Sequence, residues 1–368
     1  MPLEAKLFFA CAALQMFFYL FFFFRLNFER GYSSLPEYSP PVSVIICAKN
    51  EAAALKQYLK IVLIQQYPVF EVIVVNDEST DNSIDVLVEY YKRNKNLKII
   101  NIDHGTAKDF AGKKFALQKG IEAASYETIV VTDADCRPAT THWLSKLVGS
   151  YLQNTTFVLG YAPYENHAGF LNKVIRYENF ISSLLCFGFA KAGIPYMGVG
   201  RNLSYKKNVL AITETFASHK HLPTGDDDLF VNRNATRNNT EICLDKDAYV
   251  FTASKNTVYQ WLMQKKRHLR AGFHYKIHHS LLLLLFSVSL FGLYLSLIIL
   301  CATSGISALI LYTLSALILA KLIISFRLFK RLTYGDLKFI SPVLDVFYAA
   351  YLITIFFLLL LQPKDKWK

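Results

Sequence analysis

The sequence predicts an α/β domain with a largely parallel sheet, set between membrane-spanning helices near both ends of the chain. Three observations lead there. Hydrophobic residues make up 53% of the 368 residues and the mean hydropathy is positive, more than an ordinary soluble protein carries. The excess is concentrated at the N-terminus and in the last quarter. Between them, short β-branched runs alternate with segments that are apolar at helical spacing, the pattern of βαβ units covered on both faces.

Residues 7–24 (LFFACAALQMFFYLFFFF) are uncharged over the length a membrane helix needs. The run is long for a signal peptide, and FRLNFERGYSS offers no small-x-small cleavage site, so residues 1–30 are expected to be a retained anchor. SSLPEYSPP (33–41) reads as a Pro-rich linker. From Val42 the pattern changes. VSVIICA (42–48), FEVIVVND (70–77), NLKIINI (96–102) and ETIVVTDAD (127–135) read as strands, with helices between the first two, at 84–94 and at 113–124. The soluble domain is expected over 41–279.

Residues 281–368 form the expected C-terminal membrane region, with two or three spans at about 281–303, 306–326 and 343–361. Ser304 and Gly305 leave room only for a tight hairpin between the first two. Lys321 is placed near a helix end, where its stem can snorkel to the interface. Stretch 327–342 is either a cytoplasmic loop or an amphipathic helix along the interface, and the last crossing stays open. Basic residues crowd the membrane flanks, at Arg25, Arg30, Lys265, Lys266, Arg267, Arg270, Arg327, Lys330 and Arg331. By the positive-inside rule the large domain is cytoplasmic on a multi-pass protein of the cell membrane. The net charge of +12 is explained there too. No zinc-finger or RNA-recognition pattern accompanies it, which argues against nucleic acid. Six scattered cysteines without metal-ligand spacing fit free thiols in a reducing compartment, and the sequons at Asn154, Asn202, Asn234 and Asn238 are then unused.

In an open α/β sheet, ligands gather at the carboxyl ends of the strands. Asp77 ends one strand, and Asp133 and Asp135 end another. Single acids there commonly cap helices or fill turns. Two carboxylates one residue apart instead offer hard oxygen ligands in a small volume, suited to Mg2+ or Mn2+ beside a diphosphate. A third cluster, Asp226-Asp227-Asp228, lies in TGDDDLFVNR. Gln264 and Arg267, three apart in QWLMQKKRHLRAG, share a helical face.

The ordered set VSVIICAKNE, VVNDESTD, GKKFALQKGI, VTDADC, GRNLSYKK, TGDDDL and QKKRH resembles the family-2, inverting, membrane-associated glycosyltransferases over about residues 41–275. Cellulose, hyaluronan and poly-N-acetylglucosamine synthases and ceramide glucosyltransferase are relatives. The resemblance implies a GT-A fold that binds a nucleotide sugar, with UDP the usual nucleotide. It implies donor-binding roles for Glu51, Asp77 (the base), Lys113 (ribose or phosphate) and Asp133. It also makes Asp133 and Asp135 the DxD pair, with Asp135 the direct metal ligand, and Asp226 the general base. Gln264 and Arg267 match QxxRW and would serve the acceptor and the diphosphate. Two positions depart from the family: Gly225 replaces the TED glutamate and His268 the tryptophan of QxxRW.

The expected function is transfer of one sugar from a nucleotide-sugar donor to a lipid or glycan acceptor. A processive polysaccharide synthase shares these motifs but normally has more membrane helices. A nucleotidyltransferase would lack the paired TGDDDL and QKKRH motifs. A non-catalytic scaffold would not need Asp77, Asp133, Asp135 and Asp226 together.

Overall fold

Each central strand is apolar almost throughout, as a strand covered on both faces must be. In the computed structural model, which describes residues 1–29, 39–109, 112–209, 225, 227–303 and 305–360, β1 (Val42–Ala48) pairs in parallel with β2 (Phe70–Asp77) on one side and β4 (Thr128–Asp133) on the other. β2 pairs in parallel with β3 (Leu97–Ile102). Beyond β4 the sheet continues through antiparallel β7 (Leu203–Lys206) and β6 (Phe157–Gly160) to β8 (Thr240–Cys243), which is parallel to β6. The order is β3-β2-β1-β4-β7-β6-β8. A two-stranded sheet of β5 (Cys136–Pro138) and β9 (Val250–Thr252) stands apart.

The expected strands and helices of residues 42–135 are all present. Helices Ala52–Leu63, Ser83–Tyr91 and Lys113–Ala123 connect them. The chain runs outward from β1 to β3 and then returns to the far side of β1 as β4. That reversal is a topological switch point, where the crevice for a ligand opens at the carboxyl ends of β1 and β4. Helix Lys113–Ala123 lies close against the sheet because Gly120 has no side chain: a Cβ there would stand 2.6 Å from Cγ2 of Ile45. The core beneath joins Val44, Ile46, Val72, Val74 and Val130 to Trp143, Leu144 and Leu147 of helix Trp143–Val148. The Trp143 indole donates to Asn202 Oδ1 at 3.0 Å, so even its polar edge is satisfied.

The sheet belongs to one of two compact units, which includes Arg30–Glu165 and Gly193–Ala253; the other comprises Met1–Glu29, Asn166–Ala192 and Ser254–Lys364. The stretch 41–279 is thus divided between them. In the second unit four helices among the described residues are long and apolar enough to cross a membrane: Leu3–Phe28, Ile277–Ala302, Ala308–Arg331 and Ser341–Leu360. The first is tied to the second by Gln15, which donates to Phe286 O at 3.1 Å and Ser289 Oγ at 2.9 Å. Gly292 faces Cys11 so closely that a Cβ would come within 2.7 Å of the sulfur.

Helix Phe170–Lys191 joins this apolar unit, a placement the sequence reading did not foresee. It buries Arg176, Glu178 and Asn179. Arg176 forms a fork with Asp336 (2.9 and 2.6 Å), Glu178 pairs with Lys265, and Asn179 accepts from Tyr334 at 2.9 Å. Each charge is paired, as burial requires.

Two expectations are corrected here. Lys321 is not near a helix end, because Ala308–Arg331 runs on through the basic residues that were read as its flank. It lies inside that helix, 2.9 Å from Asp345 of Ser341–Leu360 and over the ring of Tyr19 at 5.0 Å. Asp345 also accepts from Tyr177 at 2.9 Å and Tyr294 at 3.0 Å. The stretch 327–342 forms no separate amphipathic helix either: it is divided among the end of one apolar helix, a 3-10 turn at Gly335–Leu337 and the start of the next.

Candidate active site

At the carboxyl edge of β1 and β2 two residues without glycine's freedom adopt left-handed backbone, Asn50 (φ 57°) and Glu78 (φ 55°). Side chains hold them there. Asn50 Oδ1 accepts from Thr80 N at 2.7 Å, and the amides of Asn50, Glu51 and Ala52 donate to Ser79, Ser83 and Asp81 at 2.9, 3.0 and 3.0 Å. The DESTD turn is therefore stitched to the KNEA turn. Glu51 stands at the N-cap of helix Ala52–Leu63.

Asp77, 3% exposed, closes β2. Its Oδ1 pairs with Lys108 at 2.6 Å, and Lys108 reaches Glu78 at 2.8 Å; Glu78 also meets Lys49 at 3.3 Å. The Lys108 ammonium holds the Glu78 carboxyl below its usual range. Burial works against the Lys108 charge, yet Asp77 and Glu78 raise its pKa.

Next along the edge, Lys113 opens helix Lys113–Ala123 and pairs with Asp133 at the end of β4. Asp133, Asp135 and Cys136 present ligand atoms within 4.8 Å of one another, with Asp135 exposed and Cys136 buried. Burial first, then Asp133 and Asp135, push the Cys136 thiol well up, so the carboxylates are the ready donors. Arg201 stands beside this pair, its guanidinium 4.9 Å over the ring of Tyr164. Burial opposes its charge, but Tyr164, Cys136, Asp133 and Asp135 raise its pKa.

Of the third acidic cluster, Asp226 lies outside the described residues. Asp227 caps helix Asp228–Asn234, its two oxygens taking the amides of Asp228 (2.8 Å) and Gly200 (2.6 Å). Gly225 has φ +93°, and a Cβ there would meet Leu229 at 2.5 Å. The left-handed backbone and the Leu229 side chain both disfavour a glutamate at this position. Gln264, Arg267 and His268 belong to helix Val258–Leu269 of the apolar unit. Within that unit Gln264 Oε1 is buried without a hydrogen-bond partner among the described residues. Arg267 is half-buried and His268 exposed.

Residues 43–209 match the family described as Glycosyl transferase family 2. This chain carries a family-2 glycosyltransferase domain. Relatives include the poly-beta-1,6-N-acetyl-D-glucosamine synthase of Staphylococcus epidermidis, 34% identical over 94 residues, 26% of this chain and 21% of that protein. The probable glycosyltransferase YdaM of Bacillus subtilis is 33% identical over 117 residues, 31% of this chain and 27% of that protein. Each matched stretch therefore spans less than a third of the relative's own length. Among solved structures, the mannosyltransferase PcManGT from Pyrobaculum calidifontis, in complex with GDP-Man and Mn2+, aligns with a TM-score of 0.66 at 20% identity, covering 99% of this chain and 100% of that one. The fold is GT-A.

In the transferase domain the structure brings Glu51, Asp77, Lys113, Asp133 and Asp135 to the carboxyl edge of neighbouring strands. It adds two residues to which the sequence reading gave no role, Lys108 and Arg201. Arg201 stood within the GRNLSYKK run; Lys108 had no motif to announce it.

Proposed function

We propose that this chain is an inverting, metal-dependent glycosyltransferase that moves one sugar from a nucleotide-sugar donor, UDP-linked by resemblance, to a lipid or lipid-linked acceptor at the cytoplasmic membrane face. The observation that carries the proposal is the strand-edge row of Asp77, Lys113, Asp133 and Asp135, with Arg201 beside it. Asp133 and Asp135 fit a hard divalent cation: two carboxylates converge, and the neighbouring thiol stays protonated. Mg2+ or Mn2+ held there would offset the charge of the departing diphosphate.

The chain's own groups would do the rest. Asp77 would receive the base, Glu51 would line the nucleotide pocket, and Lys113 would meet ribose or phosphate. Asp226 would take the proton of the acceptor hydroxyl as its oxygen bonds the anomeric carbon and the bond to the diphosphate oxygen breaks. A single displacement of this kind inverts the anomeric centre. Arg267 would neutralise charge gathering on the diphosphate, with Gln264 toward the acceptor.

The lipid acceptor is favoured by the segment that carries these two residues. Helix Val258–Leu269 passes through the turn Ala271–His274 into the apolar helix beginning at Ile277. Tyr259, Phe273 and Ile277, each at least 70% exposed, stand in a stretch that also carries Lys266, Arg267, Arg270 and Lys276. Apolar tips among cations suit the headgroup boundary of a bilayer. The proposed architecture is an anchor over 1–30, a transferase domain within 41–279 and a membrane region over 281–368.

A second reading, a processive polysaccharide synthase, draws on the similarity to the staphylococcal synthase. Both are tested by a donor screen on the full-length, detergent-solubilised protein with Mn2+ or Mg2+, following nucleoside diphosphate release and labelled product. Label in an organic-soluble product one sugar longer than its acceptor supports single transfer. A water-soluble polymer supports the synthase, and absence of turnover with every donor and lipid extract refutes both.

A further inference from the structure

Inside the apolar unit a cavity lies where five helices meet, and the reaction outlined above has no use for it. Its lining includes Tyr19, Tyr177, Tyr294, Lys321, Ser325 and Asp345. Asp345 is well supplied, accepting from Lys321, Tyr294 and Tyr177. The groups around it are not. An ammonium has three N–H donors. Lys321 gives one to Asp345 and stands over the ring of Tyr19, and among the described residues it has no other acceptor. The hydroxyls of Tyr19 and Ser325, residues 2% and 3% exposed, have no hydrogen-bond partner among the described residues either. For Ser325 this is unusual. A serine in an apolar helix commonly turns its hydroxyl back to a carbonyl of its own helix, as Ser287 does to Leu283 O (2.9 Å), Ser289 to Phe286 O (3.0 Å) and Ser296 to Leu293 O (2.9 Å). Ser325 instead lines the cavity, four residues after Lys321 and so on the same helical face.

We propose that this cavity holds one ordered water molecule, bound among the apolar helices by Lys321, Tyr19 and Ser325. The water accepts from the remaining N–H of Lys321 and donates to the two hydroxyls. Size decides the class of ligand: a cavity of about 20 Å³ admits a single water and is too small for a lipid headgroup or a sugar. Three polar partners is also the number a buried water usually finds. With no bulk solvent at this depth, an unmatched ammonium N–H and two unmatched hydroxyls would carry the full cost of desolvation. An acyl chain in the cavity would leave all three in that state. The water also bridges the first apolar helix to Ala308–Arg331 at a new level. Their direct hydrogen bonds, from Asn27 to Ile324 O and from Arg331 to Leu26 O and Glu29 O, lie toward one end, whereas Lys321 stands roughly 15 Å before Arg331 along the helix.

The test is hydroxyl-radical footprinting by X-ray radiolysis on the full-length protein in detergent, which modifies side chains in contact with water. Tyr334 of the same unit is as deeply buried as Tyr19, 0% exposed, and does not line the cavity. Tyr19 should be modified several-fold faster than Tyr334. Ser325→Val replaces the hydroxyl with methyl groups and fills the space, and should bring Tyr19 down to the level of Tyr334. Equal rates for the two tyrosines in the wild type mean a dry or lipid-filled cavity and overturn the proposal. So does a valine variant in which Tyr19 is modified as fast as before. If the valine variant does not fold, the wild-type ratio alone decides.

Discussion

Replacing either member of the Lys321–Asp345 pair gives a sharp test of how the apolar unit is held together. Lys321 and Asp345 side chains are 12% and 7% exposed and 2.9 Å apart. The carboxylate has two further donors, Tyr177 and Tyr294, whereas among the described residues the ammonium has only the face of Tyr19 besides its partner. The two truncations are therefore unequal. In Lys321→Met, Asp345 keeps two phenol donors, so the loss is about that of one charge-assisted hydrogen bond, roughly 2 kcal/mol. In Asp345→Asn the ammonium loses its counter-charge and, among protein groups, keeps only a neutral amide oxygen and the face of Tyr19, and the cost rises toward the roughly 3–5 kcal/mol of a broken buried pair. The double variant removes both charges, while the new amide oxygen accepts from one tyrosine and the amide N–H donates to the hydroxyl of the other, and should cost about 2 kcal/mol, well below the sum. Thermal unfolding of the three variants in one detergent measures this as a double-mutant cycle. Single variants indistinguishable from wild type, or a double variant as poor as the sum of the singles, would refute the reasoning.

Asp135→Asn should nearly abolish transfer, and excess chelator should silence the wild type; full turnover in chelator removes the metal from the proposal. Asp226→Asn should lower turnover by about a hundredfold or more while leaving nucleotide affinity unchanged; collapse of affinity with residual turnover would make Asp226 a donor ligand, measured by titration alongside initial rates. At the opposite edge of the sheet, Glu71 accepts from Ser43 (2.7 Å), the Ser125 amide (2.7 Å) and Lys98 (2.6 Å). Burial alone would raise its pKa, but these partners pull it below the ordinary 4.5. Its contribution is thus complete above that value and fades as the pH falls through the lower native value. Glu71→Gln should cost about 1–3 kcal/mol at pH 7, and the deficit should shrink in acid; a deficit constant down to pH 3 contradicts the assignment.

How far the sequence could be read depended on whether a residue's partner was near it in the chain. β1, β2 and β4 were legible because apolar runs without alternation admit few readings, and Asp77, Asp133 and Asp135 because each ends such a run. Lys108 was not, since it sits in a turn and acquires meaning only from Asp77, 31 positions away. Arg201 arrives beside the acidic pair through antiparallel β7, a pairing that no local pattern encodes. Helix Phe170–Lys191 was obscured by Lys173, Arg176 and Glu178, which look solvated until Asp336 and Lys265 are found opposite Arg176 and Glu178. Lys321 was placed too near an end because its helix continues through Arg331, and its partner, Asp345, lay unremarked in the last apolar run.

The division of the chain into two units that take turns along the sequence has a consequence for biogenesis. Residues of the apolar unit are synthesised first, interrupted by those of the sheet, resumed at Asn166, interrupted again at Gly193 and completed only after Ser254. β6 cannot gain its neighbours β7 and β8 until a 22-residue helix of the other unit has left the ribosome between them. All strands of the sheet have been synthesised by Ala253, whereas the apolar unit still awaits Ser254–Lys364. A cut at any single point leaves at least one unit incomplete, so gene fusion or exchange of membrane anchors at a single junction is closed to this architecture. Its partition between bilayer and sheet would have to evolve as a whole.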